Sequence, residues 1–378
     1  MTRQPHVRCV FRMLIARPGL AAVAVALYIA IATGLSLEIR AMPQDPIKDL
    51  APQLREAGAQ PYAIIEVAFQ NAVDNVQLAG TLTVPREEPN APAVLLVQGL
   101  GLAPFDRDYT LPGAPTRKSF LAIADALSRN RIVVLRLDDR GAGGSSGQKQ
   151  LSSVQQLAGD VIAGVTFLKT RPEVNPKRIG IIGHSFAGLT APIAAVRSND
   201  VAFVITLAGL FTDTPVNLER LSPGLRTVTT AVWTALAQSS PTLSPPALEA
   251  RLRDAFTSAV AHVSDQERPS VQSAMTAIVK PWATRLRRSQ ALTDPGETLR
   301  ALTKPFLAIH GARDGLRRCG ESIGQLETTN IGIGRKSSIK LHGDNHFACC
   351  VVVVPITRRK GTDWPCLTNH EIKSPDDV

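Results

Sequence analysis

The run Ile181-Ile182-Gly183-His184-Ser185-Phe186-Ala187-Gly188 decides how this chain is read. It opens in apolar residues suited to a buried strand and closes in small residues suited to a helix, with one hydroxyl between them. A serine on a sharp strand-to-helix turn has its Oγ lifted clear of the sheet, provided that the residues at −2 and +2 are small enough for the turn to close. Gly183 fills the first place, and Ala187 fills the second, where glycine is usual, at the cost of one methyl group. The N-terminus of the helix that follows favours negative charge developing beside the serine. A serine that only caps a helix needs no small residues on both sides.

Outward from this turn the pattern alternates. Residues 178–182 (RIGII) and 201–208 (VAFVITLA) read as strands around a helix over 186–197. Upstream, 93–97 (AVLLV) and 132–137 (IVVLRL) are short apolar strands, the mark of strands buried on both faces. Between them a helix is expected over 117–129, where Phe120, Ile123, Ala124 and Leu127 share one face, and an amphipathic helix follows over 153–169. Residues 63–69 and 76–84 suit a hairpin. This order predicts an α/β fold: a mostly parallel sheet with helices on both faces.

The rhythm breaks after residue 210. No strand is expected over 211–303, where helical stretches (217–237, 246–263 and 270–291) are separated by prolines, and 305–310 and 337–341 then resume the sheet. About ninety residues inserted between two core strands predict a helical cap over the carboxyl ends of the sheet, where open α/β sheets bind ligands. The expected organisation is a sheet domain over 62–350, the cap over 211–303 within it, and an atypical tail over 351–378.

A serine becomes a useful nucleophile when a neighbouring base takes its proton. In a strand-to-helix elbow of this kind the chain order is Ser, acid, His. Downstream of Ser185 stand His262, His310, His342, His346 and His370. His262 falls in the cap, His310 ends a buried strand, and His342 belongs to the end of the last expected strand. His346, in the loop Gly343-Asp344-Asn345-His346-Phe347, sits where the base should arrive. Asp314, in His310-Gly311-Ala312-Arg313-Asp314-Gly315, follows the strand after the cap and can hold the imidazole in its working tautomer. The oxyanion is expected to be met by the N–H of Phe186 and by one N–H in Gln98-Gly99-Leu100-Gly101, with Leu100 preferred and Gly101 as runner-up. The glycine-rich run Asp138 to Ser145 reads as a tight structural loop beside the site.

The ends of the chain carry other information. Arg3, Arg8, Arg12 and Arg17 precede an apolar stretch over 19–35, the order of an export signal. The protein is therefore expected to be exported to the periplasm, with residues 1–40 either cleaved or retained as an inner-membrane anchor. Without them the net charge of +10 falls to 37 basic against 31 acidic residues, dispersed along the chain, which speaks against nucleic-acid binding. Cys319, Cys349, Cys350 and Cys366 lack the C-x-x-C spacing of a zinc site, and no metal is expected. Cys319 and either Cys349 or Cys350 flank the acid and base loops, where a disulfide could join them.

With these residues in view, the chain resembles bacterial esterases of the α/β-hydrolase superfamily, in the group near serine-aminopeptidase-like and dienelactone-hydrolase-like members. The matching stretches run from Leu78-Ala79-Gly80-Thr81-Leu82 through Asp106-Arg107-Asp108, Asp138-Asp139-Arg140-Gly141, Gly183-His184-Ser185, Gly311 to Asp314 and Asn345-His346, over roughly residues 62–347. The resemblance implies cleavage of short acyl esters, small molecules, with no metal or organic cofactor. Peptide or thioester substrates with the same triad, or an inactive binding protein on this fold, are the rival readings. Three departures stand out: Phe186 replaces an acidic residue common in the group, the acid loop continues Gly315-Leu316-Arg317-Arg318, and no amphipathic helix follows His346. Instead Cys349 to Pro355 is strand-like, and Trp364-Pro365 blocks a long helix, so the His loop is expected to lack its usual support.

Overall fold

The computed structural model describes residues 60–86, 88–99, 119–209, 218, 221–240, 242–311, 335–340 and 348–354. The hairpin is present as β1 (Tyr62–Asn71) and β2 (Val76–Pro85), paired antiparallel from Tyr62↔Pro85 to Asn71↔Val76. There follow β3 (Ala91–Val97), α1 (Ser119–Arg129), β4 (Val133–Leu137), a 3-10 turn (Lys149–Leu151), α2 (Val154–Lys169), β5 (Val174–His184), α3 (Ala187–Arg197) and β6 (Phe203–Leu207). After the helical insertion come β7 (Phe306–Gly311), β8 (Arg335–Lys340) and β9 (Ala348–Val354). The strands form one sheet in the order β1-β2-β4-β3-β5-β6-β7-β9-β8. Its five middle strands, β4 to β7, are parallel and its two flanks antiparallel. This is the α/β-hydrolase arrangement that the alternation of strands and helices predicts.

The side-chain period of two explains why β3 is apolar throughout. Ala93, Leu95 and Val97 face one core with Val161 and Val165 of α2 and Ala191 and Ala194 of α3. Val94 and Leu96 face the other, with Phe120, Ala124 and Leu127 of α1. The α1 face expected from spacing is the one that packs. At α2 the chain supplies a full capping box: Ser153 Oγ accepts from the Gln156 N–H, and Gln156 Oε1 accepts from the Ser153 N–H, both at 3.1 Å.

Between β6 and β7 the described residues hold α4 (Pro223–Ala237), α5 (Pro245–Val260), α6 (Arg268–Ser273), α7 (Met275–Trp282), α8 (Arg285–Ala291) and α9 (Pro295–Ala301). The single helix expected over 270–291 is three short ones. Pro281 cannot donate a backbone bond, and Thr284, extended at ψ 153°, caps a fresh start with its side chain accepting from the Arg287 N–H. The insertion has its own core, built on Val228, Val232, Leu236, Leu252 and Phe256, with Trp233 and Trp282 edge to face at 5.5 Å. Its last part belongs elsewhere: Leu286 of α8 and Leu299 and Leu302 around α9 lie in the sheet's core.

α8 ties the two cores together. Its Arg288 donates to the carbonyls of Ser240 (3.1 Å) and Leu243 (2.8 Å) in the α4–α5 connection, while Ser289 Oγ accepts from the Val154 N–H at 2.9 Å. Beside them Arg287 donates to Gln290 Oε1 at 2.6 Å and has no carboxylate partner among the described residues. Burial pushes its guanidinium down to about 10. A half-buried charge without a counter-ion is a net cost. Arg287→Met, which keeps the stem, is therefore expected to raise stability by about 1 kcal/mol, read as a rise of roughly 1–2 °C in melting temperature.

At the other edge the tail joins the sheet. β9 pairs antiparallel with β7, placing Cys350 opposite His310 and Cys349 opposite Gly311, and β8 pairs on its outer side. The strand over 337–341 is thus the sheet's edge in space, and the sheet continues to Val354, beyond residue 350. The β-branched run Val351–Val354 is better suited to a ladder than to a helix. Cys319, the third member of the disulfide expectation, lies outside the described residues.

Candidate active site

The register of β3 on β5 builds this site. Val97 pairs with Gly183, so the residues after each strand emerge side by side at the carboxyl edge. The chain runs from β3 to β4 on one side and then returns to β5 on the other, a topological switch point where such sheets open a crevice. Gly99 follows one strand and Ser185 the other.

Ser185 has φ 52°, a left-handed backbone conformation that costs a non-glycine residue about 1–2 kcal/mol. The surroundings enforce it. The Ser185 N–H donates to the Leu207 carbonyl at 2.9 Å and the Gly188 N–H donates back to the Ser185 carbonyl at 2.8 Å. Phe186, at φ −56° and ψ −30°, already has helical geometry and leads into α3, its ring buried in the core. A methyl group on Gly183 would lie 2.7 Å from the Ala187 carbonyl oxygen and 3.1 Å from Ala191 Cβ, so glycine is required there. Ala187 is not among the residues with positive φ and its methyl is fully buried. Ala187 therefore closes the elbow without backbone strain. Gly99 passes so close that a methyl group on it would strike the His184 carbonyl oxygen and sit 2.5 Å from Ser185 Cβ and 2.9 Å from the Phe186 nitrogen.

The loop after β4 braces this edge from behind. Arg140, 4% exposed at its side chain, forks onto Asp160 (Nε to Oδ2 2.8 Å, Nη2 to Oδ1 2.7 Å) and reaches Asp74 at 2.6 Å. Ser145 Oγ donates to the Asp138 carbonyl and accepts from the Ala79 N–H, stitching the loop to β2. Gly143, at φ +54°, brings its backbone against the Asp138 carboxylate, which also accepts from the Gly144 N–H at 3.1 Å. Two Asp residues beside one Arg behave differently. Burial pushes the Asp160 carboxyl up despite the Arg140 contacts, whereas at Asp74 burial is outweighed by hydrogen bonds from Arg140 and Gln156, holding it below the usual range.

Of the residues expected in the site, Ser185 and Phe186 are brought together on the elbow. Leu100 and Gly101, Asp314 and His346 lie outside the described residues. What the described strands show is where those segments attach. β7 ends at Gly311 on the carboxyl edge, and β8 ends at Lys340 opposite Ala348, where β9 begins, on that same edge. One residue escaped sequence reading. Lys149, between Gln148 and Gln150 in a polar stretch with no periodicity, is 2% exposed and faces the Gly99 loop.

The serine aminopeptidase S33 family model matches residues 116–328, more than half of the chain. The chain belongs to this family. The match spans the elbow, the helical insertion and β7 of this S33 family member. Curated relatives are similar over shorter stretches. Esterase EstD of Thermotoga maritima is 34% identical over 121 residues, which is 32% of this chain and 28% of the relative. Thiohydrolase aneE of Aspergillus aculeatus is 31% identical over 146 residues, 38% of this chain and 41% of the relative. The chain thus spans well under half the length of either relative. Among solved structures, an esterase from Pyrococcus furiosus superposes with a TM-score of 0.43 at 18% identity, covering 77% of this chain and 82% of that one.

Proposed function

We propose that the protein is a serine hydrolase that cleaves carboxylic esters through an acyl-enzyme on Ser185. The observation that carries this reading is the strained elbow: Ser185 at φ 52° under a glycine loop, with the Phe186 N–H beside it. Proteins keep such strain where chemistry uses it. In this reading Ser185 Oγ attacks the ester carbonyl while His346 takes its proton. His346 then delivers that proton to the departing alcohol, water repeats the sequence in reverse, and Asp314 orients the imidazole. The N–H groups of Phe186 and Leu100 hold the oxyanion. A thioester substrate is the second reading, supported by the relative named a thiohydrolase.

A fluorophosphonate probe tests the proposal. Labelling of the wild type that Ser185→Ala abolishes is the expected result; a folded wild type that never labels would instead indicate a binding protein on this fold. Rates on p-nitrophenyl esters, the matching thioesters and aminoacyl anilides then rank the substrate classes, with short-chain esters expected fastest. Gly99→Ala is expected to lower kcat/KM about 100-fold, because its methyl displaces the elbow by a sizeable fraction of an ångström.

For residues 1–40 we propose an export signal or anchor, leading to the periplasm. Among the described residues no helix is long and apolar enough to cross a membrane. Fusion of residues 1–40 to a reporter enzyme active only outside the cytoplasm should give activity, and a cytoplasmic fusion would refute the proposal.

A further inference from the structure

Lys149 belongs to a residue type that is seldom buried, yet its side chain is 2% exposed. Its Nζ donates to Asp139 Oδ2 at 2.6 Å and to the Gly99 carbonyl oxygen at 3.1 Å. An ion pair with Asp139 alone could be made at the surface at little cost. Taking an ammonium out of water costs several kcal/mol unless its partners are well placed, and a backbone carbonyl is among those partners. That carbonyl is on the glycine that lies against Ser185 Cβ and the Phe186 nitrogen.

The peptide unit explains what the contact can do. The carbonyl of Gly99 and the N–H of residue 100 belong to one planar group, and in a trans unit they point in opposite directions. Fixing the carbonyl fixes the direction of the N–H. A cation on the carbonyl also draws electron density through the amide and strengthens the N–H as a donor, as hydrogen bonds in chains polarise one another. Asp139 in turn holds the ammonium and balances its charge. Lys149 also lines, with Gln98, Asp138, Phe186 and Thr190, a small pocket of about 20 Å³, so it shares that pocket with residues from both the β3 end and the elbow.

We propose that Lys149, held by Asp139, is a positioning residue that orients and polarises the Gly99 peptide for oxyanion binding. The proposal rests on the ester-hydrolase reading and deepens it by assigning the support of the oxyanion loop.

The test compares the wild type with Lys149→Met, which keeps the stem, and Asp139→Asn. Fluorophosphonate labelling to completion counts the working sites, and kcat and KM on p-nitrophenyl acetate are expressed per labelled site. A trifluoromethyl ketone, which forms a tetrahedral oxyanion on the serine, reports the hole directly. Lys149→Met is expected to lower kcat per site about 10- to 100-fold, less than loss of an oxyanion donor itself, with KM within about threefold. Ketone affinity should fall by a similar factor. Lys149→Cys alkylated with bromoethylamine, which restores an ammonium at nearly the same reach, should recover most of the loss, and iodoacetamide should not. A merely structural lysine would lower the number of labelled sites and leave kcat per site and ketone affinity within about twofold, which would overturn the proposal. Should Lys149→Met not fold, Asp139→Asn decides: a kcat per site reduced several-fold supports the proposal and an unchanged one overturns it. A wild type that neither labels nor turns over overturns the ester-hydrolase reading, a failure distinct from equality between wild type and variant.

Discussion

Ser185→Ala is expected to lower kcat/KM on short-chain p-nitrophenyl esters by roughly 10⁴- to 10⁶-fold, the scale seen when a serine nucleophile is removed from its triad. Alanine at φ 52° carries the same backbone strain as serine, so the melting temperature should stay within a few degrees of wild type. Ser185→Gly makes the sharper pair. It should be just as inactive, yet it relieves the left-handed penalty and is expected to gain up to about 1 kcal/mol of stability. Glycine also frees the unfolded chain, which limits that gain. Together the two variants separate a serine held for chemistry from one held for packing. Residual activity within tenfold of wild type in either would refute the role given to Ser185.

Arg140→Met is expected to cost about 3–5 kcal/mol of folding stability, the largest loss expected outside the elbow. The arginine neutralises two carboxylates, Asp160 and Asp74, that lie 7% and 14% exposed at their side chains. Without it Asp160 keeps the Asn71 amide at 2.8 Å and Asp74 keeps Gln156 at 3.2 Å, which satisfies lone pairs but not charge. Asp160→Asn in the same chain should recover a substantial part of the loss.

The pH dependence follows from the signs. In the wild type, Asp74 is held below its unfolded value, so its contribution is present above that value and is lost as pH falls through the folded one. Asp160 is raised by burial, so the native state binds its proton first and stability is gained as pH falls into that window. The two oppose each other, and this cluster should begin to fail only below pH 3.8, the ordinary Asp value. In Arg140→Met both carboxyls should be raised. The deficit relative to wild type should be largest at neutral pH and shrink as pH falls towards 4, which urea unfolding at several pH values would show. A deficit that grows on acidification would refute the charge argument.

Much of this was written in local pattern. The wholly apolar run at 93–97 could be read as a doubly buried strand because alternate residues serve two cores, and periodicity needs no partner to be visible. Gly183 and Ser185 announced the elbow because a tight turn excludes side chains through short-range sterics. The insertion between β6 and β7 could be read as helical from spacing and prolines, but not its division. Leu286, Leu299 and Leu302 have the same composition as cap residues and serve the sheet's core, a choice made by what lies opposite them.

What the sequence by itself determined is the order of strands and helices and the elbow at Ser185, because each depends on residues near one another in the chain. Only the tertiary structure decided that β9 would enter between β7 and β8, that Ala187 would cost the elbow no strain, and that Lys149 would bond the carbonyl of Gly99. Fifty residues separate Lys149 from Gly99, and nothing periodic links them. They meet because β3 and β4 are paired and the loops at their carboxyl ends must share one crevice. Burial there holds a lysine ammonium against the Gly99 carbonyl and the Asp139 carboxylate at once.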